Sequence, residues 1–525
     1  MRQTLRICLS STTALVAVIL VLALSASASP ASPALPRRED LGHQTTFSVG
    51  HHHEEEPLAV GATNEVEDYT GYEVWRLSLL GGQQVQDDGL DAGKAAKHVM
   101  EVARLLDLDI WHASRSHVDI LLSPKIKSHF FSLLPRSLHP TSPLVDTDLL
   151  QTLLSRPHHR HHRRPPPSQP PIPSPPIDPF NLTTLQSPYH DAYHSLSNIT
   201  EFGKQLEKTF PGLVKRFIVG KSAEGRDVEG LRLHKFVNTT GDDEDEIDWS
   251  PRTLMGRRKG NVEEAKTRVF YLQGGQHARE WIAPSSLLYF AHHLLVQAAQ
   301  FNTHIVHLLE TYEFIIVPTI NPDGYEYSRD HSRLWRKNRQ DLDYRNCKGI
   351  DMNSNWGYQW SPNMMASNPC SEAYPGSAAF EAVETKLVAD FLEEIKEIRD
   401  VRAFVDIHSY GQLFMFPYAY SCSDFPGDAE TLMEAGLGVA KAMRNTHGTV
   451  YQAGQACDLV YRMSGDSIDY AYGSAKIRWS YSVELRDTGT FGFLLPPSLI
   501  RETATEVTEG LVYLAKFINT IEGFE

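Results

Sequence analysis

The sequence predicts an α/β protein with a mixed, mostly parallel twisted sheet flanked by helices, preceded by a small α+β domain. Short apolar runs typical of buried strands occur at residues 269–272, 312–318 and 479–485. Stretches with apolar residues at helical spacing alternate with them, at 380–392 and 507–521. This alternation of strand and helix favours a sheet with parallel neighbours and helices on its faces.

The small α+β domain is predicted before this region. Residues 72–80 alternate like a strand, and 94–106 have helical spacing. Two further strands are expected at 108–111 and 118–122, followed by apolar stretches at 130–134 and 149–154. The expected organisation is a signal peptide at 1–28, a disordered segment at 29–66, the α+β domain at 67–156, a His/Arg/Pro-rich linker at 157–188 and the main domain at 189–525.

Composition limits the classes of function. The 525 residues carry a formal net charge of −15, which argues against nucleic acid as the main partner. The apolar run at 14–24 is too short for a comfortable membrane span, so we expect a secreted chain with no membrane span. Four of its five cysteines lie beyond the signal, an even number that suggests two disulfides with three pairings open: Cys347, Cys370, Cys422 and Cys457.

A candidate metal motif follows the first buried strand of the main domain. Gly274 and Gly275 end this strand, a helical pattern resumes after Pro284, and His277 and Glu280 lie three residues apart in the loop between them. An imidazole and a carboxylate at this spacing can share one zinc ion, which then needs a third protein ligand. Alone the motif is weak, because surface His and Glu residues often have this spacing by chance.

The neighbouring sequence makes the motif specific. The blocks Asn321-Pro322-Asp323-Gly324, Arg333-Leu334-Trp335-Arg336-Lys337, His408-Ser409-Tyr410 and Glu484-Leu485-Arg486-Asp487-Thr488-Gly489 follow in order. Together with the motif they resemble the zinc metallocarboxypeptidases of the pancreatic carboxypeptidase A/B type. The resemblance extends from about Tyr189 to the C-terminus.

The resemblance implies a role for each matching residue. His408, after an apolar strand, becomes the third ligand of one zinc ion per chain, and Glu484 the general base. Arg336 would face the scissile carbonyl and stabilise its developing charge. The residues expected to bind substrate are Arg279, Asn353, Ser354, Ser409, Tyr410, Tyr461 and Ile468.

One position departs from the family pattern. Ser354 stands where the family places an arginine beside Asn353 to bind the terminal carboxylate of a peptide. The loss of one charge-assisted hydrogen bond of roughly 1.5–3 kcal/mol would weaken this recognition about 10- to 100-fold. Ile468 favours an apolar C-terminal residue, while the adjacent Asp466 and Asp469 either face solvent or shift that preference.

Two functions follow as expectations from the resemblance. The first is a secreted zinc-dependent metallocarboxypeptidase that removes C-terminal, preferably apolar, residues from peptides and proteins. The alternative is an inactive zinc-binding homologue with a role in cell-wall organisation or peptide binding. The chain is expected to be a monomer, with the vacuole or cell wall as further locations. Residues 67–156 would be a propeptide released by a processing protease at the linker, and the pairings Cys347–Cys370 and Cys422–Cys457 are favoured.

Overall fold

The computed structural model describes residues 67–79, 92–155, 180–235, 267–362 and 366–524. The expected signal peptide and disordered segment, residues 157–179 of the linker and the charged insertion at 238–266 lie outside this part of the chain. In the part that is described, no helix combines the length and apolarity needed to cross a membrane.

The N-terminal unit is a small three-stranded antiparallel sheet with β3 in the centre. Apolar side chains from its sheet and helices, including Leu77, Val99, Ile120 and Phe130, form one buried cluster. The expected strands and helix are present, with bounds that differ from the prediction by at most two residues. The elements are β1 (Glu73–Ser78), α1 (Ala92–Leu105), β2 (Asp109–Ala113), β3 (His117–Leu122), α2 (Lys127–Ser132) and α3 (Thr147–Ser155).

The main unit is built on an eight-stranded mixed sheet of order β12-β11-β13-β10-β6-β7-β5-β4, which confirms the predicted fold class. Its four central strands, β13-β10-β6-β7, are parallel to one another. The strands are β4 (Val214–Lys221), β5 (Asp227–Leu233), β6 (Arg268–Gly274), β7 (Tyr312–Val317), the separate hairpin β8 (Asp341–Tyr344) with β9 (Cys347–Lys348), β10 (Asp400–Ser409), β11 (Leu413–Phe416), β12 (Gln452–Gln455) and β13 (Trp479–Leu485).

Helices cover both faces of this sheet. Strand β6 shows why its sequence is apolar throughout: Phe270 and Leu272 join the cluster on one face, and Val269 and Tyr271 join the cluster on the other. The helices are α4 (Leu196–Thr209), α5 (Ile282–Ala299), α6 (Thr303–Thr311), α7 (Pro322–Asp330), α8 (Val383–Ile398), α9 (Ala429–His447), α10 (Ala456–Leu459), α11 (Ser467–Gly473) and α12 (Ile500–Glu522).

The start of helix α5 is one of the helix boundaries that differ from the prediction. Helix α5 begins at Ile282 rather than after Pro284. Proline is tolerated there because the first turn of a helix leaves its N–H groups without intrahelical partners.

Disulfide bonds join Cys347 to Cys370 and Cys422 to Cys457, with Cα–Cα distances of 5.0 and 5.1 Å.

Candidate metal centre

The centre lies where three neighbouring parallel strands end at the same edge of the sheet. In the β6–β10 pair Gly274 lies beside Ile407, and in the β10–β13 pair His408 lies beside Glu484. Parallel strands present their carboxyl ends together, and ligands of open α/β sheets bind at such ends. The topology therefore brings the loop after β6, His408 on β10 and Glu484 on β13 to one place.

The loop that carries the motif is held by its own turn and by distant residues. Gly275 has a φ of +61°, a conformation that favours glycine, and an added Cβ would approach Pro318 O to 3.3 Å. Asn321 Nδ2 donates to Gln276 O at 3.0 Å, and Ala278 N donates to Arg336 O at 3.0 Å. These contacts fix the backbone on both sides of His277 before any ion binds.

Three side chains converge at this position. His277 Nδ1 lies 2.7 Å from Glu280 Oε1, and His408 Nδ1 lies 3.0 Å from Glu280 Oε2. The two Nδ1 atoms are 3.2 Å apart. All three residues are buried, and they are a group that could hold a metal ion. Although burial opposes it, the two histidines hold the pKa of Glu280 well below its usual value.

Two further carboxylates orient the imidazoles. His277 Nε2 lies 3.2 Å from Asp351 Oδ1, and His408 Nε2 lies 3.2 Å from Asp406 Oδ2. A carboxylate at Nε2 favours the tautomer with its proton there, which leaves the Nδ1 lone pair free for a cation. The donor set, two imidazoles and one carboxylate, is typical of a zinc site with a fourth position open. The residues present therefore fit zinc.

A cavity opens beside the three side chains, and Glu484 and Arg336 lie in its wall. Glu484 Oε2 accepts no hydrogen bond from the described residues. Burial, followed by the charge of Glu280, raises the pKa of Glu484 well above its usual value. Arg336 Nη2 donates to Asp351 Oδ2 at 3.1 Å. Burial opposes its charge, but Asp351 holds the pKa of Arg336 above normal.

Near the metal centre, Asn353 and Ser354 form a second region, called here the carboxylate end after its expected ligand. The polar groups of both residues are already bonded within the protein. Asn353 Nδ2 donates to Asp466 Oδ2 at 2.9 Å, and Asn353 Oδ1 accepts from Ser467 N at 3.0 Å. Ser354 Oγ donates to Asp351 Oδ2 at 2.9 Å. Both side chains are buried. The pair that would bind a terminal carboxylate thus lacks the arginine and has one of its two amide N–H groups engaged.

The expected specificity residues are also buried. Ile468 lines the cavity and has no exposed surface. The alternative in which Asp466 and Asp469 face solvent is wrong, since their exposed fractions are 2% and 0%. Asp466 caps α11 by accepting from Ile468 N at 2.9 Å, and Asp469 accepts from Ala419 N and Tyr420 N. Burial raises the pKa of Asp466 to about 6.

The N-terminal unit contacts several of the expected substrate-binding residues. Arg279, expected near the mouth of the cavity, is fully buried, and its Nη1 donates to Asp109 Oδ2 of β2 at 2.7 Å. Tyr410 donates to Asp119 Oδ2 at 3.0 Å. Tyr461 packs against the apolar cluster of the N-terminal unit. Strand β2 and its neighbours therefore form one wall of the cavity.

Two site residues were not found by the sequence analysis, namely Asp351 and Asp406. Asp406 had a detectable signal, because it is a charged residue inside the apolar strand β10 and lies two residues before His408, on the same face. Asp351 had none, since its local sequence gives no periodic pattern. Ser409, by contrast, lies where expected: it lines the cavity, its N donates to Glu280 Oε2 at 3.2 Å, and its Oγ has no partner among the described residues.

An eight-stranded mixed sheet with a His-Glu-His group at its carboxyl edge is the arrangement of a zinc carboxypeptidase fold. The chain belongs to the zinc carboxypeptidase family, whose sequence profile matches residues 199–510. Its fold is similar to that of carboxypeptidase A from Helicoverpa armigera, with a TM-score of 0.66 at 24% identity over 86% of this chain and 99% of that one.

Fungal relatives overturn the first expectation of function. The "Inactive metallocarboxypeptidase ecm14" of Talaromyces marneffei is 33% identical over 442 residues, which are 80% of this chain and 69% of the relative. The "Inactive metallocarboxypeptidase ECM14" of Ajellomyces capsulatus is 32% identical over 449 residues, 82% of this chain and 69% of the relative. The interpretation as an active exopeptidase is therefore wrong, and the alternative of an inactive homologue is the better supported one.

Proposed function

We propose that this chain is a zinc-binding, non-hydrolysing member of the zinc carboxypeptidase family that binds peptide segments in the cavity beside the metal. The proposal rests on one contrast within that cavity. His277, Glu280 and His408 converge, and the Nε2 atoms of the two histidines lie beside carboxylates. The amide of Asn353, by contrast, is bonded to Asp466. Bound by the two histidines and Glu280, zinc would supply a Lewis acid and would tie the loop after β6 to the end of β10.

The absence of hydrolysis has a physical basis in the residues that should hold a substrate. A carboxypeptidase must fix the peptide end so that the scissile bond meets the metal, and misplacement by about 1 Å can cost on the order of 100-fold in rate. Ser354 supplies no cation, and its hydroxyl donates to Asp351 instead. A peptide can enter the cavity, yet nothing at this end places it for attack.

The N-terminal unit supports the same proposal. Asp109 neutralises Arg279, and the ring of Trp111 packs 5.1 Å from that of Phe493 on the main unit. Breaking a buried ion pair by losing one partner typically costs about 3–5 kcal/mol. We propose that residues 67–156 form a propeptide-like domain that stays docked until the linker at 157–188 is cut.

Location and partners follow from fewer observations. The two disulfides are consistent with passage through the secretory pathway. We infer that the ligands are peptide or protein segments, because the fold carries its cavity at the edge where family members bind peptides. A role in cell-wall organisation is proposed as the setting in which such a secreted binding protein would act.

The test is a paired measurement on the purified full chain. We expect about one zinc per chain by elemental analysis, and no hydrolysis of blocked dipeptides ending in Phe or Leu above that of a Glu484→Gln variant. The assay is run before and after limited trypsin treatment, with a chelator control. Chelator-sensitive turnover above Glu484→Gln would refute the proposal, as would a chain that takes up no divalent ion.

A further inference from the structure

One edge of the small N-terminal sheet faces the metal cavity without a backbone partner. In this sheet of order β1-β3-β2, strand β2 (Asp109–Ala113) is an outer strand, and all five of its residues line the cavity. Its backbone bonds to β3, and no other backbone group among the described residues bonds to it. An antiparallel strand bonds to one neighbour through alternate residues, so the N–H and C=O groups of the other residues point to the free edge.

The opposite edge of the same sheet is covered by the chain itself. Beside β1, Val74 N donates to Val145 O at 2.9 Å, and Leu144 N donates to Val74 O at 2.8 Å. Proteins commonly cover an edge strand, because its free backbone groups pair readily with another strand. The described residues give β2 no such cover. The bulge in β2, between Ile110 and His112, bends the strand but does not pair its edge.

A second cavity continues the path along β2. It lies between the N-terminal unit and the main unit, with Tyr69 and Trp335 in its wall, and its volume is about 1040 Å³ including open space. The metal cavity, at about 1130 Å³, shares four lining residues with it. The four are Asp107, Leu108, Asp109 and Glu372. The first residue of β2 therefore lies where the two cavities meet, and a ligand along this strand can extend from one into the other.

The chemistry of a strand edge selects its ligand. Donors and acceptors recur along the edge at every second residue, about 6.6–6.8 Å apart. Another extended backbone carries matching groups at the same repeat. The carboxylate end offers a peptide terminus little, because Ser354 supplies no cation and one N–H of Asn353 is engaged by Asp466. These features favour an internal peptide segment over a C-terminal end.

We propose that an extended peptide segment pairs with the free edge of β2 and lies across the two cavities, with no need of a free C-terminus. The inference rests on the proposed function, because it specifies how the peptide of the same cavity is held. It also gives the N-terminal unit a part in binding. The uncut chain holds the peptide, and departure of the N-terminal unit releases it.

Three capped pentapeptides of one sequence test this pairing by calorimetric titration of the zinc-loaded full chain. They are acetyl-Thr-Val-Thr-Val-Thr-amide, the same peptide N-methylated at its first, third and fifth residues, and the same peptide N-methylated at its second, third and fourth residues. Valine and threonine favour the extended form. Alternate methyl groups block one edge of the peptide and leave the other intact, whereas the same number of consecutive methyl groups blocks both.

The affinities should separate the two methylated peptides. We expect the alternately methylated peptide to bind within about threefold of the unmodified one, and the consecutively methylated peptide to bind at least about tenfold more weakly. Recognition through side chains alone would not distinguish them in this way, because the three peptides carry identical side chains.

Hydrogen exchange locates the peptide on the protein. With the unmodified peptide in excess, the amides of β2 that do not bond to β3 should exchange more slowly. Those of β1 (Glu73–Ser78) should not change, because Leu144 and Val145 already cover that edge. The two edges of one sheet thus serve as test and control within the same unmodified chain.

Any result in which the consecutively methylated peptide binds as well as the alternately methylated one overturns the inference. So does the absence of binding by the unmodified peptide, or binding that leaves the exchange of β2 unchanged. The proposed function is judged separately. A peptide that binds in the cavity without this pattern leaves the proposed function standing, whereas hydrolysis of the blocked dipeptides or the absence of zinc contradicts it.

Discussion

The metal end, His277, Glu280 and His408, and the carboxylate end, Asn353 and Ser354, differ in what their polar groups are free to do. At the metal end, Asp351 and Asp406 each lie 3.2 Å from the outer nitrogens of His277 and His408, and their charges favour a proton on those nitrogens, which leaves the inner nitrogens for a cation. At the carboxylate end, internal hydrogen bonds engage the oxygen and one N–H of the Asn353 amide. The comparison shows that a buried hydrogen bond can prepare a site or close it, depending on which atom it leaves free.

The largest expected effect comes from removing a metal donor. We predict that His277→Ala lowers zinc affinity at least about 100-fold, because structural zinc sites gain roughly 10–16 kcal/mol from all their ligands together. Competition with a chromogenic chelator measures this. His304→Ala removes an exposed histidine far along the sequence and should change nothing. Equal losses in both variants would mean that the three side chains do not bind the ion together.

A smaller effect is expected from the carboxylates behind the histidines. Asp406→Asn should weaken zinc binding about 10- to 100-fold, since partners of ligating histidines have effects of this size. The reason is that the charge of Asp406, 3.2 Å from His408 Nε2, favours a proton on that nitrogen, and a neutral amide does so less. The same chelator competition measures it, with the exposed Asp390→Asn as the control. Unchanged affinity would show that the orientation of His408 does not depend on Asp406.

Lowering the pH should weaken the docking of the N-terminal unit, which forms one wall of the cavity. Burial lowers the pKa of His112 on β2 to about 4, where His117, Tyr410, Asp119 and Arg76 surround it. In the opened unit its pKa would be about 6.5, so the opened state binds more protons and docking weakens as pH falls from about 6.5 to 4. The docking free energy lost through the protonation of His112 is at most about 3 kcal/mol.

Hydrogen exchange of the β2 amides as a function of pH measures this opening. His112→Gln should flatten the pH dependence between about 6.5 and 4, while the exposed His129→Gln should leave it intact. An unchanged slope in His112→Gln would assign the opening to other groups.

The smallest effect is expected where the family pattern is restored at one position alone. Ser354→Arg should raise affinity for a free-acid dipeptide by less than about threefold, because Asp351 and Asp466 lie beside the new guanidinium and would pair with it. Asp466→Gly combined with Ser354→Arg should raise it at least about tenfold. A large gain from Ser354→Arg alone would show that Asp466 does not close this end.

The sequence predicts the sheet from short-range patterns, whereas it predicts the three metal donors from the resemblance of separate blocks to a known family. Apolar runs identify β6, β7 and β13. The spacing of His277 and Glu280 identifies the centre only together with the blocks that resemble the family. Helix α9 (Ala429–His447) was not predicted, although its buried Leu432, Ala435, Val439 and Met443 have helical spacing.

The remaining features depend on contacts between distant segments. Asp109 and Arg279 are separated by 170 residues, and Asn353 and Asp466 by 113, so no local pattern connects either pair. The sequence showed that Ser354 replaces a cation. It could not show that Asp466 is buried beside Asn353, and this contact decides what the cavity can accept.

One crystal structure tests the contrast between the two ends directly. Crystals of the full chain grown with zinc and acetyl-Gly-norleucine should show an anomalous zinc peak bonded to His277, Glu280 and His408. The same map should show Asn353 still bonded to Asp466, with no dipeptide carboxylate on either residue. A zinc-free triad, or a carboxylate bound by Asn353 and Ser354 with Asp466 displaced, would contradict the account.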